Sequence, residues 1–302
     1  MRRDRVLGIG VIGLGGMGGR HARILAERTQ GARVCAVYDP DGARAESVAK
    51  SVGAEIVASA EAVISHADVD AVVIASPDVT HAPLTLACLD LEKPVMCEKP
   101  LAQSAAEARM VVARETEVGR RLVQVGFMRR YDPAHLALMQ ALAEGRVGEP
   151  QVMRGWHRNE ASRPDITSAR VVTGSLIHDL DSARWLMNEE IASVRVAGQR
   201  VGENVAVGQY DLLLAECRFH SGRHALLEVF VNARFGYEVG VEVIGSMGMA
   251  VTPGEGNAII KRGRSAAVDV APDWLVRFDT AYARQMAGWI SGLPQDLPLS
   301  GA

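Results

Sequence analysis

The sequence has few cysteines, and none is placed for a metal site or a disulfide framework. Cys35, Cys88, Cys97 and Cys217 lie far apart among 302 residues, and no C-x-x-C pair occurs. This spacing argues against zinc fingers and small disulfide-stapled scaffolds, and it fits a reducing compartment. A zinc-dependent alcohol dehydrogenase is disfavoured for the same reason, so we expect no metal in the functional site.

An excess of charge of one sign is also lacking, and so are long apolar runs. The net charge is -3 at pH 7 with an isoelectric point near 6.3, so we expect no nucleic acid and no anionic membrane as partner. No window holds the roughly 20 unbroken apolar residues that a transmembrane helix needs. The short, glycine-broken apolar run near the N-terminus is better explained as a strand than as a signal peptide. We therefore expect a cytoplasmic protein.

The first 126 residues alternate between two patterns. Continuous apolar runs such as VLGIGVIG (6–13) and DAVVIAS (70–76) predict strands covered on both faces, and helical segments separate them. Strands that alternate with helices form βαβ units and a mostly parallel sheet. We predict an α/β domain over residues 1–126.

The pattern changes after this point. Strands are predicted at 150–158, 193–201, 209–219, 223–233, 238–245 and 257–262. Many of these runs alternate polar and apolar residues, which is typical of an antiparallel sheet with one covered face. Two long helices, at about 176–187 and 274–291, are predicted to interrupt the strands. Residues 127–302 therefore predict a second, α+β domain with a large, mainly antiparallel sheet.

A glycine-rich loop follows the first strand. Gly13, Gly15 and Gly18, with Met17 before the last of them, form a G-x-G-x-x-G, and Asp39 ends the next strand 26 positions after Gly13. This context predicts a Rossmann dinucleotide site, in which pyrophosphate lies at a helix N-terminus and the carboxylate accepts from the adenosine ribose. A carboxylate there disfavours a 2′-phosphate, so NAD is expected rather than NADP, although Arg44 is a candidate phosphate ligand. The alternative is a structural glycine turn with Asp39 as a solvated strand end.

Two further strand ends carry polar residues, and ligands of such sheets lie at the carboxyl ends of strands. Ser76 and Pro77 are candidates to line the cofactor, whereas His81 is either a cofactor contact or a polar residue that begins a helix. The segment Glu98-Lys99-Pro100 places an acid and a base at another strand end. A lysine in a cleft can stabilise an alkoxide or move a proton. The alternative is a surface Glu–Lys pair before a turn proline.

The segment TGSLIHDLD (173–181) places a histidine and two aspartates in a helical pattern. His178 is either a buried core histidine or a proton acceptor. Asp181 lies three residues later, on the same helix face, and is the candidate to orient His178. Asp179 is expected to point elsewhere and to be structural.

Taken together, the motifs GVIGLGGMG, CEKPLA, LVQVGFMRRYDP, HRN, IHDLD and NARFGYEVGVEVIG resemble those of the Gfo/Idh/MocA oxidoreductases. Within that family they are most similar to the inositol 2-dehydrogenases. The resemblance extends from Val6 to about Trp289. It implies a Rossmann domain followed by a domain with a large sheet, whose outer face commonly forms homodimers and homotetramers.

The resemblance also implies roles for single residues. Lys99 and His178 match the catalytic lysine and histidine, and Asp181 matches an acidic residue of the site. The cofactor set then comprises Gly13, Gly15, Met17, Gly18, Asp39, Ser76, Pro77, His81, Glu98, Lys99 and Met128. Four residues match positions expected to contact a polyol: His157, Asn159, Tyr237 and Arg129. Arg130 is expected to be structural.

Two features depart from the family pattern. Inositol dehydrogenases usually carry an aspartate four residues before the catalytic histidine, and here that position is Gly174. The loss of a residue that fixes a histidine tautomer can reduce a rate by orders of magnitude. Family members also usually continue with another helix where this sequence ends in LPLSGA. Either a shorter end loosens packing beneath the site or in an oligomer, or the end simply reflects how much of the chain the sequence covers.

These observations predict an NAD-dependent dehydrogenase that oxidises a secondary hydroxyl of a cyclic polyol, myo-inositol or a relative, to a ketone. The substrate is a small molecule. Two alternatives stay open at this point. One is a dehydrogenase of another sugar or of an aminocyclitol with the same fold. The other is a catalytically impaired accessory protein that binds NAD, which the presence of Gly174 would favour.

Overall fold

The computed structural model describes residues 6–252, 259–262, 265–268 and 270–293. For 259–262 and 265–268 it describes the backbone only. The described residues fall into two compact units. One comprises those up to Phe127 together with those from Tyr282 onward, and the other runs from Met128 to Ala281. The first unit extends one residue beyond the predicted domain of residues 1–126, and it includes residues from Tyr282 onward, which lie within the range 127–302 of the second predicted domain. The LPLSGA end and residues 257–258 lie outside the described residues.

The first unit is built on a parallel sheet of six strands in the order β3-β2-β1-β4-β5-β6, which is the Rossmann order. Its strands are β1 (Leu7–Ile12), β2 (Ala32–Tyr38), β3 (Glu55–Ile56), β4 (Ala71–Ile74), β5 (Val95–Cys97) and β6 (Val123–Val125). Its helices are α1 (Gly16–Arg28), α2 (Gly42–Val52), α3 (Ala60–Ser65), α4 (His81–Asp90) and α5 (Ala105–Val118).

Local sequence explains where these elements begin and end. All residues of β1 and β4 are buried, as expected for strands covered by helices on both faces. The side chains of Asp41, Ser59 and Ser104 accept hydrogen bonds from backbone N–H groups in the first turns of α2, α3 and α5. Gly53, left-handed with a φ of 71°, ends α2.

The second unit contains a six-stranded sheet in the order β12-β11-β7-β10-β9-β8. Its strands are β7 (Pro150–Arg158), β8 (Ile191–Gln199), β9 (Leu212–Phe219), β10 (His224–Phe230), β11 (Glu238–Gly245) and β12 (Met249–Val251). The pairing of β7 with β10 is parallel, and the other pairings are antiparallel. The helices that precede or interrupt this sheet are α6 (Pro133–Ala143), α7 (Ser168–Val171) and α8 (Ile177–Leu186). The predicted α/β class with a mainly antiparallel second sheet is confirmed.

A hairpin and two helices complete the described chain. The hairpin strands are β13 (Ile259–Arg262) and β14 (Ser265–Val268), and the helices are α9 (Trp274–Arg277) and α10 (Asp279–Gly292). The single helix expected at 274–291 is therefore wrong, because the chain leaves helical geometry at Phe278. Among the described residues, no helix is long and apolar enough to cross a membrane.

The alternation of β7 positions the side chains that matter below. Met153, Gly155 and His157 face the buried side of the sheet, whereas Arg154 and Trp156 face the other side. The buried side packs against α8 and belongs to an apolar core that includes Leu176 and Leu227. A polar side chain on this side, such as His157, must therefore find its partners inside the protein.

Candidate active site

The glycine loop in the first unit has three distinct positions. Gly13 has a φ of 81°, and a Cβ there would overlap the backbone of Ser76. A Cβ at Gly18 would overlap the carbonyl oxygen of Gly13, so α1 approaches β1 only because this residue is glycine. A Cβ at Gly15 or Gly16 would meet no atom of the described residues within 4 Å.

This open cradle lies at the start of α1. Gly15 is the N-cap, no side chain caps the helix, and its first turn carries no acidic residue. Among the described residues no side chain caps these N–H groups, and their positive potential suits a pyrophosphate. Met17, also predicted as a cofactor contact, is half-buried in this turn.

Asp39 follows β2, and its carboxylate is held in place. Its Oδ2 accepts from the Leu14 N–H at 2.7 Å and its Oδ1 from the Asp41 N–H at 2.9 Å, and Arg44 donates to both oxygens. Burial would raise the pKa of Asp39, but these hydrogen bonds and the Arg44 charge hold it below its ordinary value. The carboxylate is ionised at neutral pH, beside the glycine loop, and Arg44 is already paired with Asp39 and Asp41.

The loop after β4 is linked to the Glu98-Lys99-Pro100 segment by His81. The buried imidazole lies 2.8 Å from the carbonyl oxygen of Ser76 through Nε2, and 2.7 Å from that of Pro100 through Nδ1. Both ring nitrogens thus face protein backbone. Of the other two predicted contacts, Ser76 is half-buried and shares a 2.6 Å hydrogen bond with the Thr80 hydroxyl, and Pro77 is exposed.

Glu98 follows β5 and is bonded to a histidine that the sequence analysis did not select. Its Oε1 lies 2.7 Å from Nε2 of His21, which is fully buried on α1. Burial would raise the pKa of Glu98, but His21 and the neighbouring Lys99 hold it below its ordinary value. Because an ionised carboxylate only accepts, Nε2 of His21 carries the proton. The pair ties the glycine-loop helix to the turn that carries the half-buried Lys99.

In the second unit, His178 lies in the first turn of α8 and is 6% exposed. The five residues before α8, Val172–Leu176, form a π-helical turn with Gly174 at its centre. Such turns often occur at functional sites. A Cβ on Gly174 would meet nothing within 4 Å.

Asp181 and Arg130 form an ion pair in the second unit. The guanidinium of Arg130 donates to both carboxylate oxygens of Asp181, at 2.8–3.2 Å, and lies over the Trp185 ring. Asp181 is 5% exposed, so the pair is sheltered on the carboxylate side. The aspartate expected to orient His178 therefore has both oxygens engaged by the arginine expected to be structural.

Asp179 is the centre of a buried network. Its Oδ1 accepts from Nη1 of Arg129 at 2.6 Å, and its Oδ2 lies 3.2 Å from Nδ1 of His157. Nη2 of Arg129 lies 3.1 Å from the same Nδ1. Asp179 and Arg129 are each 1% exposed. Asp179 thus contacts His157, a predicted polyol ligand, and no side-chain contact between Asp179 and His178 is seen among the described residues.

The charges of this pair are mutually stabilised. Burial would lower the pKa of Arg129, but the Asp179 carboxylate raises it above its ordinary value. Burial would likewise raise the pKa of Asp179, but Arg129 and His157 hold it low. Both groups are therefore ionised around neutral pH. Arg129, predicted as a polyol contact, has its guanidinium enclosed by protein.

Tyr237 and Asn159 lie beside the same strand. The Tyr237 hydroxyl is 3.3 Å from Nε2 of His157, and the two rings meet edge to face. Asn159 comes directly after β7, and its buried Oδ1 has no hydrogen-bond partner among the described residues. Three of the four predicted polyol ligands thus lie at one end of the sheet. Met128, predicted near the cofactor, is buried as the first residue of the second unit.

The two contacts that sequence reasoning missed join distant positions. His21 and Glu98 are 77 residues apart, and Arg129 and Asp179 are 50 apart. The sequence held a weak indication in each case, since a histidine among the apolar residues of α1 and an Arg-Arg pair after a strand both need polar partners when they are buried. Within the described residues no cluster of three or more His, Cys, Asp or Glu is placed to hold a metal ion.

Comparisons with known proteins identify the family. Residues 7–127 match the model of an oxidoreductase family with an NAD-binding Rossmann fold, and residues 135–251 match that of the GFO/IDH/MocA C-terminal domain. The chain belongs to the GFO/IDH/MocA oxidoreductases.

Individual relatives are similar over almost the whole chain. An inositol 2-dehydrogenase from Rubrobacter xylanophilus is 50% identical over 95% of this chain and 83% of the relative. Inositol 2-dehydrogenase 1 from Saccharopolyspora erythraea is 40% identical over 93% of this chain and 84% of the relative. The crystal structure of myo-inositol dehydrogenase from Lactobacillus casei with NAD(H) and myo-inositol superposes with a TM-score of 0.90 at 33% identity, covering 95% of this chain and 86% of that one.

Proposed function

We propose that this protein is an NAD-dependent dehydrogenase that oxidises a secondary hydroxyl of a cyclic polyol, myo-inositol or a close relative, to the ketone. The observation that carries the proposal is the 50% identity to an inositol 2-dehydrogenase across 95% of the chain. A Rossmann glycine loop in the first unit and a cluster of polyol-type ligands in the second support it. Identity of this extent disfavours the accessory-protein alternative.

The first unit fits NAD. The space over Gly15 and Gly16 admits a pyrophosphate against the N–H groups of α1, and the ionised Asp39 suits the adenosine ribose diol. A 2′-phosphate would be repelled by this carboxylate, and Arg44 is already ion-paired with Asp39 and Asp41. NAD is therefore preferred over NADP. Ser76 and Pro77 are proposed to line the same edge, and His81 to hold their loop through its two backbone contacts.

The second unit fits a polyol. We propose that Asn159 and Tyr237 meet the hydroxyls with an amide and a phenol, which can both donate and accept, and that His157 supports Tyr237 through Nε2. A site that satisfies several hydroxyls discriminates strongly against compounds that lack them. Because Arg129 is enclosed, we assign it to holding His157 and Asp179 rather than to direct polyol contact.

The reaction needs one proton acceptor and one group that stabilises negative charge on oxygen. Bound NAD supplies the acceptor for the hydride that leaves the substrate carbon. His178 takes the hydroxyl proton as general base, and the Lys99 ammonium stabilises the alkoxide as it forms. Glu98, fixed by His21, holds the turn that carries Lys99. Asp181, paired with Arg130, is proposed to support the first turns of α8 on which His178 lies.

The proposal is tested by incubating the protein with NAD and a panel of inositols, sugars and aminocyclitols while NADH absorbance is followed. We expect turnover with myo-inositol or a near relative. His178→Gln and Lys99→Met should each lower kcat by about 10²- to 10⁴-fold while NAD still binds in a fluorescence titration. NAD binding without turnover of any polyol would contradict the proposal and favour an accessory protein.

We also propose that the chain forms a homodimer or homotetramer through the outer face of the second sheet. A row of residues crosses five paired strands on that face: Arg195, Glu216, Leu226, Arg154 and Glu242. They line an open groove whose charges alternate in sign. Half-exposed Leu214 and Leu226 add apolar area. A face with both signs in register can pair with a second copy of itself.

A cytoplasmic location is proposed as well. The support is that all four cysteines are buried free thiols. Burial raises the pKa of Cys35 and Cys217 to about 11, so these thiols stay protonated and unreactive.

A further inference from the structure

Asp211, directly before β9, is a buried carboxylate that no step of the proposed reaction uses. It is fully buried, and its oxygens accept from the N–H groups of Val201 and Gly202 at 2.7 and 2.9 Å and from Nδ2 of Asn232 at 2.8 Å. Burial would raise the pKa of Asp211, but these donors hold it below its ordinary value. Removing a charge from water is costly, so stability alone does not explain an aspartate at this position.

The Asn232 amide is oriented by its two partners. Its Nδ2 donates to Asp211, and its Oδ1 accepts from the N–H of Ser162 at 2.8 Å. The carboxylate only accepts and the N–H only donates, so a single orientation of the amide satisfies both. Asn232 is 6% exposed. It therefore joins the carboxylate before β9 to the loop that follows β7.

That loop begins with Asn159, one of the proposed polyol ligands. The N–H of Asn159 donates to the carbonyl oxygen of Phe230 at 2.9 Å, and its carbonyl oxygen accepts from the N–H of Ala233 at 2.8 Å. These two partners lie on either side of Asn232 in the chain. The side-chain Oδ1 of Asn159 is buried and has no hydrogen-bond partner among the described residues, so a ligand hydroxyl is a suitable donor to it.

We propose that Asp211 and Asn232 are positioning residues of the polyol site, which hold Asn159 where its amide can bind a substrate hydroxyl. This inference rests on the proposed function for its substrate, but not for its contacts. The loop after β7 is held at Asn159 by backbone hydrogen bonds and, three residues later at Ser162, by the Asn232 side chain. Asp211 fixes the direction of the Asn232 amide, so the Ser162 N–H meets an oxygen rather than an NH2 group.

Asn232→Ala removes both side-chain hydrogen bonds and leaves Asn159 itself unchanged. We expect KM for the polyol to rise about 10-fold with little change in kcat, because the Asn159 contact stabilises ground and transition states alike. NAD affinity, measured by fluorescence titration, should stay the same. Asn159→Ala should raise KM by at least as much. The variant with both changes should be no worse than Asn159→Ala alone, because Asn232 acts through Asn159.

An exchange of the two side chains separates positioning from stability. Asn232→Asp places two carboxylates against each other and should raise KM and lower Tm. Adding Asp211→Asn restores one amide facing one carboxylate, so the Ser162 N–H again has an oriented acceptor. KM should then return to within about 3-fold of that of the unsubstituted protein. Tm should stay lower, because an amide NH2 group then faces the Gly202 N–H.

Thr252→Val is the matched control, since it removes a buried side-chain hydrogen bond elsewhere in the same unit. Thr252 is 2% exposed, and its hydroxyl oxygen accepts from the N–H of Val241 at 2.9 Å. Valine keeps the shape of threonine but not this bond. The variant should therefore have a lower Tm and an unchanged polyol KM.

A readout that needs no turnover uses protein labelled with ¹⁵N-asparagine. The side-chain NH2 signals of Asn159, assigned by comparison with Asn159→Ala, should shift in Asn232→Ala and stay in place in Thr252→Val. Unchanged Asn159 signals or an unchanged KM in Asn232→Ala would overturn the inference. So would additive effects of Asn159→Ala and Asn232→Ala, or a KM that stays raised after the exchange. Absence of turnover in the unsubstituted protein would instead contradict the proposed function, and the ¹⁵N signals would still decide the inference.

Discussion

At the scale of single residues, Gly174 distinguishes this chain from the pattern that its family resemblance implies. The position lies one turn before His178, in a π-helical turn, with space for a side chain. If His178 is the general base, its tautomer and orientation matter for rate. Asp181, the nearest substitute suggested by the sequence, has both oxygens bound by Arg130. The present chain is therefore expected to work without a carboxylate at this point.

Gly174→Asp tests that expectation. We expect kcat for the polyol to rise by about 10-fold or more, because an added carboxylate in open space can hold the imidazolium that forms on His178. Gly174→Asn fills the same space without charge and should give little gain. Equal rates in the two variants would show that a carboxylate at this position has no catalytic role here.

Some features of single residues could be predicted from the sequence and others could not. The glycine loop and Asp39 follow from spacing, because a G-x-G-x-x-G with an acid after the next strand is a local pattern. The His21–Glu98 pair and the Asp179 network do not, because they depend on how distant segments meet. The sequence alone does not show which distant histidine, arginine and aspartate residues will form hydrogen bonds with one another.

At the scale of elements, two glycines of the loop have different roles: Gly18 allows α1 to pack closely against β1, and Gly15 leaves space for a ligand at the start of α1. Gly18 contacts the Gly13 carbonyl, whereas Gly15 faces empty space. The two positions look alike in the sequence motif. The structure shows that Gly18 lies where α1 packs against β1 and that Gly15 lies at the open cradle.

Alanine at each position should therefore have different effects. Gly18→Ala forces α1 away from β1 and should destabilise the protein by about 1–3 kcal/mol, measured by urea unfolding. Gly15→Ala should leave unfolding unchanged but weaken NAD binding by about 10-fold or more, measured by fluorescence titration, since its methyl occupies space for the ligand. If Gly15→Ala instead destabilised the protein and left NAD binding unchanged, the ligand would not lie over Gly15.

Other elements were predictable to different degrees. The strands β7 to β11 follow from alternation and lie close to their expected bounds. The break at Phe278 and the π-helical turn at Val172–Leu176 were not expected, because apolar periodicity continues through both. Such irregularities arise from tertiary packing, which a local pattern does not record.

At the scale of the whole molecule, the outer sheet face is the proposed contact between copies. Leu226→Asp places a charge at the centre of the row that runs from Arg195 to Glu242 and should convert a dimer or tetramer to smaller species in light scattering. Val207→Asp, at an exposed position outside the strands, is the control and should leave the mass unchanged. A monomeric unsubstituted protein, or an unchanged mass for Leu226→Asp, would contradict the proposed interface.

The fate of the hydrogen that leaves the polyol carbon shows directly whether the protein transfers a hydride to NAD. The protein is mixed with NAD and myo-inositol that carries deuterium at the carbon to be oxidised, and the reduced nicotinamide is analysed by mass spectrometry. We expect deuterium at C4 of NADH in proportion to the ketone formed, and at least about 100-fold less of it when His178→Gln replaces the unsubstituted protein at the same reaction time. NADH without the label, or no NADH from any deuterated inositol while NAD is bound, would contradict it.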